Sequence, residues 1–303
     1  MDTPAKGNEV KHTPESITIV IPCFNEEQAI KVTMDRLRPV RELLGDCEVI
    51  VVNDGSTDSS LELLQEWEGK DPKFQIIDLG RNMGYGAALK SGIRAVETPL
   101  VAITDLDGSY PLEKLPALVE AADSYEMVVG ARTGTMKGYP FLRRIPKWAL
   151  RKYVEWLVDQ KVPDFNSGMR VMRTAVIKPF LRLFPNGFSF TTTCTVAVLR
   201  EGYRVKWIPV DYAPRLGKSK IRPIRDTLNF THLLLRTGAF FAPLRVFAPI
   251  AMGLFVLFLI SLGYDVAVLQ NLTDKTVMLL LFSLNTALFS LLADMIRRTL
   301  DTR

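Results

Sequence analysis

The sequence predicts an α/β domain built on a doubly wound, mainly parallel sheet, followed by a two-helix transmembrane hairpin. Three observations support this fold class. Short β-branched runs alternate with helix-like segments through the first half of the 303 residues, a rhythm typical of parallel sheets with helices on both faces. Two long apolar runs lie near the C-terminus, and the chain is long enough to bury one substantial core with a smaller appendage.

The predicted sheet domain contains five strands and four helices. Runs rich in β-branched residues predict strands at 16–22, 47–54, 74–80, 100–107 and 126–131. Helices are expected near 26–44, 58–69, 85–96 and 112–123. Ligands of such sheets bind at the carboxyl ends of the strands. The chemically versatile stretches collect there, following the first four strands in order: PCFNEE, NDGSTD, GRNMGYG and DLDGSYP.

The two apolar runs have the length of membrane spans. Residues 246–264 and 276–293 contain no charged side chain, and each would form a helix about 28 Å long, close to the hydrocarbon thickness of a bilayer. The connecting loop carries one basic residue, Lys275, whereas five arginines flank the outer ends: Arg236, Arg245, Arg297, Arg298 and Arg303. The positive-inside rule therefore predicts both ends, and the sheet domain, in the cytoplasm. A pair of buried core helices is the alternative.

Charge is distributed unevenly along the chain. Residues 1–131 hold 12 Lys and Arg against 23 Asp and Glu, whereas residues 132–245 hold 22 against 6. The acidic part can collect a metal ion, and the basic part can collect phosphates or anionic lipid headgroups. No nucleic-acid recognition motif accompanies the basic part, so nucleic acid is not an expected partner. The three cysteines have no metal-ligand spacing.

Two basic segments have an amphipathic pattern. Residues 139–160 and 221–245 mix Trp, Phe and Leu with Arg and Lys at helical spacing, which predicts interfacial helices or, alternatively, ordinary helices packed on the sheet. We therefore expect four parts: a disordered tail over 1–15, a cytoplasmic domain over 16–220, a basic interfacial segment over 221–245, and the hairpin with a short cytoplasmic tail over 246–303.

Four motifs in order resemble a known family. VIPCFNEE, VVNDGSTD, GRNMGYGAALKSGI and DLDGSYP are similar to inverting glycosyltransferases of family 2, which have the nucleotide-sugar-binding type A fold. Further on, NSGMRVMR, residues 188–212 and RLGKSK resemble the polyprenyl-phosphate branch, which includes dolichyl-phosphate mannose synthases and bactoprenol-phosphate glucosyltransferases. The resemblance implies transfer of a sugar from a UDP- or GDP-linked donor to the phosphate of a polyprenyl phosphate. It also implies a multi-pass protein of the cytoplasmic membrane, or of the endoplasmic reticulum membrane in a eukaryote.

The acidic residues after the fourth strand are the predicted metal site. In an extended Asp-x-Asp both carboxylates point the same way, so Asp105 and Asp107 can share one ion directly or through water. Such hard oxygen ligands suit Mg²⁺ or Mn²⁺. In the mannose synthases the motif continues to a glutamine, where this chain has Ser109. Ser109 is therefore the candidate third ligand, and this assignment is left open. Two solvated turn carboxylates are the structural alternative.

Nucleotide contacts are expected at the ends of the first three strands. Asp54 would accept hydrogen bonds from the base or ribose, although capping of a helix that starts near Ser59 is an equal alternative when this residue is taken alone. The other side of the base pocket would be lined by Pro22, Asn25 and Glu26. Gly84 and Gly86 are interpreted as a glycine-loosened helix start near the diphosphate, with Arg81 either as a charge partner or as a solvated surface residue.

The basic motif residues are expected to handle phosphates. A polyprenyl phosphate is already anionic at neutral pH, so its attack needs no strong base, but cations must offset its repulsion from the donor diphosphate. The positions that match phosphate-handling residues of the resembled family are Arg132, Arg170, Arg215, Ser219 and Lys220. The expected catalytic set is Asp107 with Arg132, Arg170, Arg215 and Lys220. Because Arg215 and Lys220 precede the first span, we expect them on the acceptor side.

Two other functions stay open at this point. A processive polysaccharide synthase would share the nucleotide-binding half, but this chain has neither the Gln-x-x-Arg-Trp motif nor the several spans of such enzymes. A non-catalytic membrane scaffold that retains a nucleotide-binding domain is the second alternative, and the intact Asp105 and Asp107 argue against it. The sequence does not select the sugar, and a homo-oligomer is left open.

Overall fold

The computed structural model describes residues 17–133, 141–187, 189–215 and 237–301, with only the backbone described for 141–147 and 297–301. The expected tail over 1–15, most of the segment 221–245, and both Ser219 and Lys220 lie outside these ranges. The described chain forms two compact units. One is drawn from residues 1–154 and 160–221, and the other from residues 155–159 and 222–303.

Seven strands of the first unit form one mixed sheet in the order β3-β2-β1-β4-β6-β5-β7. Strand β6 is antiparallel to β4 and β5, and every other neighbouring pair is parallel. The mainly parallel sheet is therefore confirmed, with β6 and β7 as strands that the sequence patterns did not predict. The strands are β1 (Ile17–Cys23), β2 (Glu48–Asn53), β3 (Phe74–Asp78), β4 (Leu100–Ile103), β5 (Met127–Arg132), β6 (Arg170–Arg173) and β7 (Val205–Val210).

The described chain contains nine α-helices. Seven belong wholly or mainly to the sheet unit: α1 (Glu27–Leu43), α2 (Ser60–Glu68), α3 (Tyr85–Ala95), α4 (Leu115–Ala121), α5 (Phe141–Val158), α6 (Thr174–Ile177) and α7 (Phe190–Arg200). The hairpin helices are α8 (Pro243–Tyr264) and α9 (Asp274–Asp301). Helix α5 agrees with the helix expected over 139–160, and the predicted 112–123 helix is divided into a 3₁₀ turn, Leu112–Lys114, and α4.

The central strands are buried on both faces because helices cover the sheet. All four residues of β4 and six of the seven residues of β1 are buried, as expected for inner strands with continuous apolar sequence. Helix α3 lies very close to this sheet, because a Cβ on Gly92 would come within 2.4 Å of the Val20 side chain. The parallel register pairs Cys23 with Asn53, so the carboxyl ends of β1 and β2 lie side by side.

Strand β4 ends earlier than the sequence suggests. It stops at Ile103 rather than at residue 107, so Asp105 and Asp107 lie in the loop that follows, with Asp107 in a bend ahead of Gly108, whose φ is +71°. The predicted bounds of this strand, 100–107, are therefore wrong at the C-terminal end, and both carboxylates belong to the loop and not to the strand. After β1 the chain continues to β2, which lies on one side of β1 in the sheet, and after β4 it continues to β5 and β6, which lie on the other side of β4. Strands β1 and β4 therefore flank the switch point where ligands bind in such sheets.

The hairpin of the second unit pairs two long apolar helices through small polar residues. Thr276 and Ser283 are buried seven residues apart on α9; the Thr276 hydroxyl lies 2.5 Å from that of Ser261, and Ser283 donates to the Ala251 carbonyl at 3.1 Å. Because the partner number falls as the α9 number rises, the helices run antiparallel. We call these contacts the hairpin seam. Small polar residues of this kind let helices approach closely in membranes.

Both hairpin helices are long and apolar enough to cross a membrane. An 18-residue window within Pro243–Leu269 has a mean hydropathy of 2.4, and one within Asp274–Ile296 has a mean hydropathy of 2.0. Large apolar side chains cover the outside of the hairpin, with Met252 and Leu288 more than half exposed. This pattern, polar within the pair and apolar outside, is the one expected of helices surrounded by lipid.

Candidate active site

The loops that follow β1 and β2 are tied together at the carboxyl edge of the sheet. Asn25 adopts a left-handed backbone with φ of +51°. Its side-chain oxygen accepts a hydrogen bond from the Thr57 backbone amide at 2.7 Å, and its backbone amide donates to the Ser56 hydroxyl at 3.0 Å. The Glu26 amide donates to the Ser60 hydroxyl at 2.8 Å. Together with half-buried Pro22, these residues form one connected edge of the site.

Asp54 connects the second strand to the start of α3. Its buried carboxylate accepts from the amides of Met83 at 2.6 Å and Gly84 at 2.9 Å. Burial raises the pKa of Asp54, and the two amide hydrogen bonds oppose that rise. The carboxylate therefore anchors the loop before α3 and not the start of α2 near Ser59, where no side-chain capping hydrogen bond forms. Gly55 is required beside it, because a Cβ there would lie 2.4 Å from the Arg81 backbone.

Gly84 and Gly86, at the start of α3, allow the loop of residues 185–187 to pack closely against the helix. A Cβ on Gly84 would lie 2.5 Å from the Asn186 carbonyl oxygen, and one on Gly86 would lie 2.2 Å from that of Pro185. The Asn186 carbonyl also accepts from the Ala87 amide at 3.0 Å. The amides of Met83, Gly84 and Ala87 therefore have protein acceptors already. The glycine-loosened start is present, but its contacts are with the 185–187 loop, and Arg81 is exposed.

Asp105 is held from two sides. The Tyr85 hydroxyl donates to its Oδ1 at 2.8 Å, and a Cβ on Gly168 would lie 2.6 Å from its Oδ2. Burial, and then the charge of Asp107, raise the pKa of Asp105 to about 6. Three groups oppose this rise: Tyr85, Arg132 and Arg215. The structure therefore brings four of the predicted residues into one electrostatic neighbourhood, namely Asp105, Asp107, Arg132 and Arg215.

Asp107 is buried and oriented by its own turn. Its Oδ1 accepts from the Ser109 amide at 3.0 Å and from the Ser109 hydroxyl, and its Oδ2 lies 3.9 Å from Nε of Arg215. Ser109, considered above as a third ligand, thus directs its hydroxyl to Asp107. We refer to Asp105 and Asp107 as the acidic pair.

The acidic pair fits a divalent cation shared with a substrate. In the part of the chain that the structure describes, no group of three or more His, Cys, Asp or Glu side chains gathers as a complete metal cage. Mg²⁺ and similar ions are commonly held by one or two carboxylates, with substrate phosphates and waters supplying the remaining ligands. Two carboxylates with oxygen atoms as donors match that arrangement.

Arg132 is fixed beside the acidic pair by a carboxylate that the motif analysis missed. Its Nε and Nη2 donate to the two oxygens of Asp164 at 2.7 and 2.8 Å, a bidentate geometry. Burial acts to raise the pKa of Asp164, but the hydrogen bonds and charge of Arg132 bring it below its ordinary value. The guanidinium also lies 5.4 Å from the Tyr212 ring.

The chain that leads to Arg215 is anchored to the acidic loop. The Tyr212 ring packs edge-on against Tyr110 at 5.1 Å, and the Ala213 amide donates to the Ser109 carbonyl at 3.0 Å. Arg215 follows two residues later, with its side chain one third exposed. This anchoring explains why a residue far along the chain reaches the acidic pair.

Arg170 occupies a different environment from the one expected. It is fully buried, and its guanidinium donates to the carbonyls of Ser167 and Phe165 and to the Thr195 hydroxyl. The structure therefore does not support a phosphate contact for Arg170. Its donors brace the turn that carries Gly168 instead.

Comparison with known proteins decides the family. The model of "Glycosyl transferase family 2" matches residues 18–180, more than half of the chain. The chain belongs to glycosyl transferase family 2. A second model, "GtrB C-terminal hairpin", matches residues 242–299, which contain α8 and nearly all of α9. The resemblance found in the motifs is thereby confirmed for both parts of this family 2 protein.

Individual relatives cover between 68% and 98% of the chain. The chain is 28% identical to the dodecaprenyl-phosphate galacturonate synthase of Rhizobium johnstonii, over 98% of this chain and 92% of the relative. It is 27% identical to the undecaprenyl-phosphate mannosyltransferase of Micrococcus luteus, over 68% of this chain and 87% of the relative. Glucosyl-3-phosphoglycerate synthase from Mycobacterium tuberculosis, crystallised with Mn²⁺ and UDP, shares the fold with a TM-score of 0.57 and 19% identity, over 74% of this chain and 78% of that one.

Three residues of this family 2 site were not assigned a role from the sequence. Tyr85 and Gly168 lie within the motifs GRNMGYGAALKSGI and NSGMRVMR, whereas Asp164 lies outside the quoted motifs, and only the tertiary fold shows what each of them contacts. Asp164 had one available signal, since it is one of only six acidic residues among the 22 basic ones of residues 132–245.

Proposed function

We propose that this family 2 glycosyltransferase moves one sugar from a nucleotide diphosphate sugar to the phosphate of a polyprenyl phosphate, with inversion at the anomeric carbon. The acidic pair carries the proposal, because it lies at the carboxyl edge of a family 2 sheet in a chain that also has a GtrB-type hairpin. The relatives named for dodecaprenyl-phosphate and undecaprenyl-phosphate products support the same acceptor class.

The chemistry asks for charge compensation rather than proton removal. An oxygen of the acceptor phosphate forms the new bond to the anomeric carbon, while the bond from that carbon to the diphosphate oxygen breaks and its electron pair leaves with the nucleotide diphosphate. The acceptor oxygen carries no proton that must be removed at neutral pH. A bound Mg²⁺ or Mn²⁺ would stabilise the charge that develops on the leaving diphosphate.

On the donor side, Ser109 and Tyr85 fix the two carboxylates that would hold that ion. The edge formed by Pro22, Asn25 and Glu26 would lie against the nucleotide, and Asp54 would support it by holding the loop before α3. Arg81 is exposed near this loop and would approach the phosphates only from the solvent side.

On the acceptor side, Arg215 is the described residue best placed to meet a phosphate. Its guanidinium lies 3.9 Å from Asp107 and is partly exposed, so it can turn from the carboxylate to an arriving phosphate. Ser219 and Lys220 follow within the same motif, outside the described residues, and would add donors. Arg132 is held by Asp164 and would contribute its charge from a fixed position.

The hairpin would place this reaction at the cytoplasmic membrane, with the sheet domain facing the cytoplasm. The distribution of arginines around the two spans supports that orientation. A reporter fused after Arg303 should be cytoplasmic, and one inserted near Asn271 should be external. Finding both reporters on the same side would contradict the orientation.

The function is tested with membranes that contain the protein. They are incubated with a panel of radiolabelled nucleotide sugars, with and without added polyprenyl phosphate, and scored for label in the organic phase. One donor should label the lipid, and the signal should depend on polyprenyl phosphate and on a divalent cation. Label that enters a polysaccharide instead would favour the synthase alternative, and no transfer from any donor would favour the scaffold.

A further inference from the structure

The Asp105 carboxylate is confined by contacts from two separate segments. Tyr85 approaches it from the first turn of α3, and Gly168 approaches it from the turn before β6. A side chain this short has few rotamers, so contacts on both oxygens determine where the carboxylate points.

Tyr85 is itself held firmly. The loop before it is anchored by the Asp54 carboxylate through the amides of Met83 and Gly84, and the helix start is closed by the Asn186 carbonyl on the Ala87 amide. The Tyr85 hydroxyl donates to Oδ1 of Asp105 at 2.8 Å. One lone pair of Oδ1 is thus occupied, and the carboxylate is turned in a defined direction.

Gly168 limits the other oxygen. A Cβ at this position would lie 2.6 Å from Oδ2 and 2.9 Å from Cγ of Asp105, closer than nonbonded atoms approach, so any larger residue would displace the carboxylate. The turn cannot easily retreat, because the Gly168 amide donates to the buried Tyr110 hydroxyl at 2.7 Å and Ser167 donates to the Gly130 carbonyl at 2.6 Å.

We propose that Tyr85 and Gly168 are positioning residues that preset the Asp105 carboxylate for a divalent cation, an inference that rests on the proposed metal-binding function of the acidic pair. Groups that orient a metal ligand change metal affinity or activity by about 10- to 100-fold when they are removed. The hydroxyl of Tyr85 orients the Asp105 carboxylate, and Gly168, which has no side chain, leaves the space that this carboxylate occupies.

The test measures Mn²⁺ binding directly, by electron paramagnetic resonance of free Mn²⁺, on the purified full chain without donor or lipid. Tyr85→Phe should weaken Mn²⁺ binding about 10-fold and raise the Mn²⁺ concentration for half-maximal transfer by the same factor. The unfolding temperature without metal should stay at the wild-type value. Saturating Mn²⁺ should restore most of kcat, because the carboxylates themselves are intact.

Three further variants make the result specific. Tyr203→Phe removes the same hydroxyl at the opposite edge of the sheet, before β7, and should bind Mn²⁺ like the wild type. Gly168→Ala should weaken Mn²⁺ binding at least as much as Tyr85→Phe, since it displaces the carboxylate. Asp107→Asn marks the loss of the site itself.

Three results would overturn the inference. Wild-type Mn²⁺ affinity in Tyr85→Phe, with weakened binding in Asp107→Asn, would overturn it while leaving the proposed function intact. A loss of affinity in Tyr85→Phe that is matched by a lower unfolding temperature without metal would reduce Tyr85 to a structural residue. Absence of Mn²⁺ binding in the wild type would overturn the metal assignment of the acidic pair, and this inference with it.

Discussion

The acidic pair and the hairpin seam both bury polar side chains, but they leave them in different electrostatic states. In the acidic pair, burial and the neighbouring carboxylate raise the pKa of Asp105 to about 6, and the charge of a bound cation would oppose both effects. In the hairpin seam, Ser261 with Thr276 and Ser283 with a backbone carbonyl satisfy each other. Buried carboxylates that lie close together therefore indicate a ligand site, whereas buried hydroxyls that have hydrogen-bond partners indicate pairing of helices.

The largest expected effect comes from removing one charge of the acidic pair. Asp107→Asn keeps the size of the side chain but loses the charge that a cation requires, so transfer should fall by more than about 100-fold. The unfolding temperature should not decrease, because repulsion with Asp105 is also removed. Radiolabel transfer and thermal unfolding of the same preparation check this. Near-normal transfer, with unfolding that becomes sensitive to chelators, would make the site structural.

A variant of Arg215 tests whether the acceptor and the donor are bound by different residues. Arg215→Ala removes a positive charge 3.9 Å from Asp107. Because that charge repels a cation bound at the acidic pair, the affinity for Mn²⁺ should stay the same or increase. Transfer to polyprenyl phosphate should nevertheless fall about 10- to 100-fold, since a charge-assisted phosphate contact is lost. Calorimetric donor binding without lipid provides the control. A large loss of donor affinity in that assay would mean that Arg215 serves both substrates.

Asp164 tests the supporting ion pair through pH. Its pKa is depressed in the folded state, so its stabilising effect is complete above its unfolded pKa near 4 and disappears as pH falls through the folded value. Asp164→Asn should lower the free energy of unfolding at pH 7 by about 2 kcal/mol and should flatten the loss of stability below about pH 5. The exposed Asp211→Asn is the matched control. Parallel pH profiles for wild type and Asp164→Asn would contradict the assignment.

The smallest effect is expected in the hairpin seam. Ser283→Ala removes one interhelical hydrogen bond, and such bonds in membranes contribute about 0.6 kcal/mol on average. The free energy of unfolding in detergent should change by less than about 1 kcal/mol, with transfer activity at the wild-type level. A loss of activity comparable to that of Asp107→Asn would break the distinction between the two regions.

The two regions also differ in how much their sequences reveal. The hairpin is predictable because its signals are local: uncharged runs of helical length and arginines at their ends. The sheet is predictable for a related reason, since β-branched runs and turn motifs alternate along the chain. Strands β6 and β7 were not predicted because their short apolar alternation, within NSGMRVMR and around Trp207, lies among charged residues.

The acidic site was only partly predictable because its details depend on tertiary contacts. The motif order correctly indicated the sheet edge, but the early end of β4 at Ile103 depends on how the following loop packs. Arg170 and Arg215 look equivalent as motif arginines, yet one is enclosed by carbonyl acceptors and the other is partly exposed. Burial of a charged side chain is a property of the fold, so residue type alone could not separate them.

The most direct test of the proposed transfer is the mass of its lipid product. Purified full-length protein is incubated with the donor selected by the panel, Mn²⁺ and undecaprenyl phosphate, and the lipid fraction is measured by mass spectrometry. The account predicts one new species, heavier than undecaprenyl phosphate by a single sugar residue, formed by the wild type and not by Asp107→Asn. A ladder of lipids that carry several sugars, or donor consumption that releases only free sugar, would contradict it.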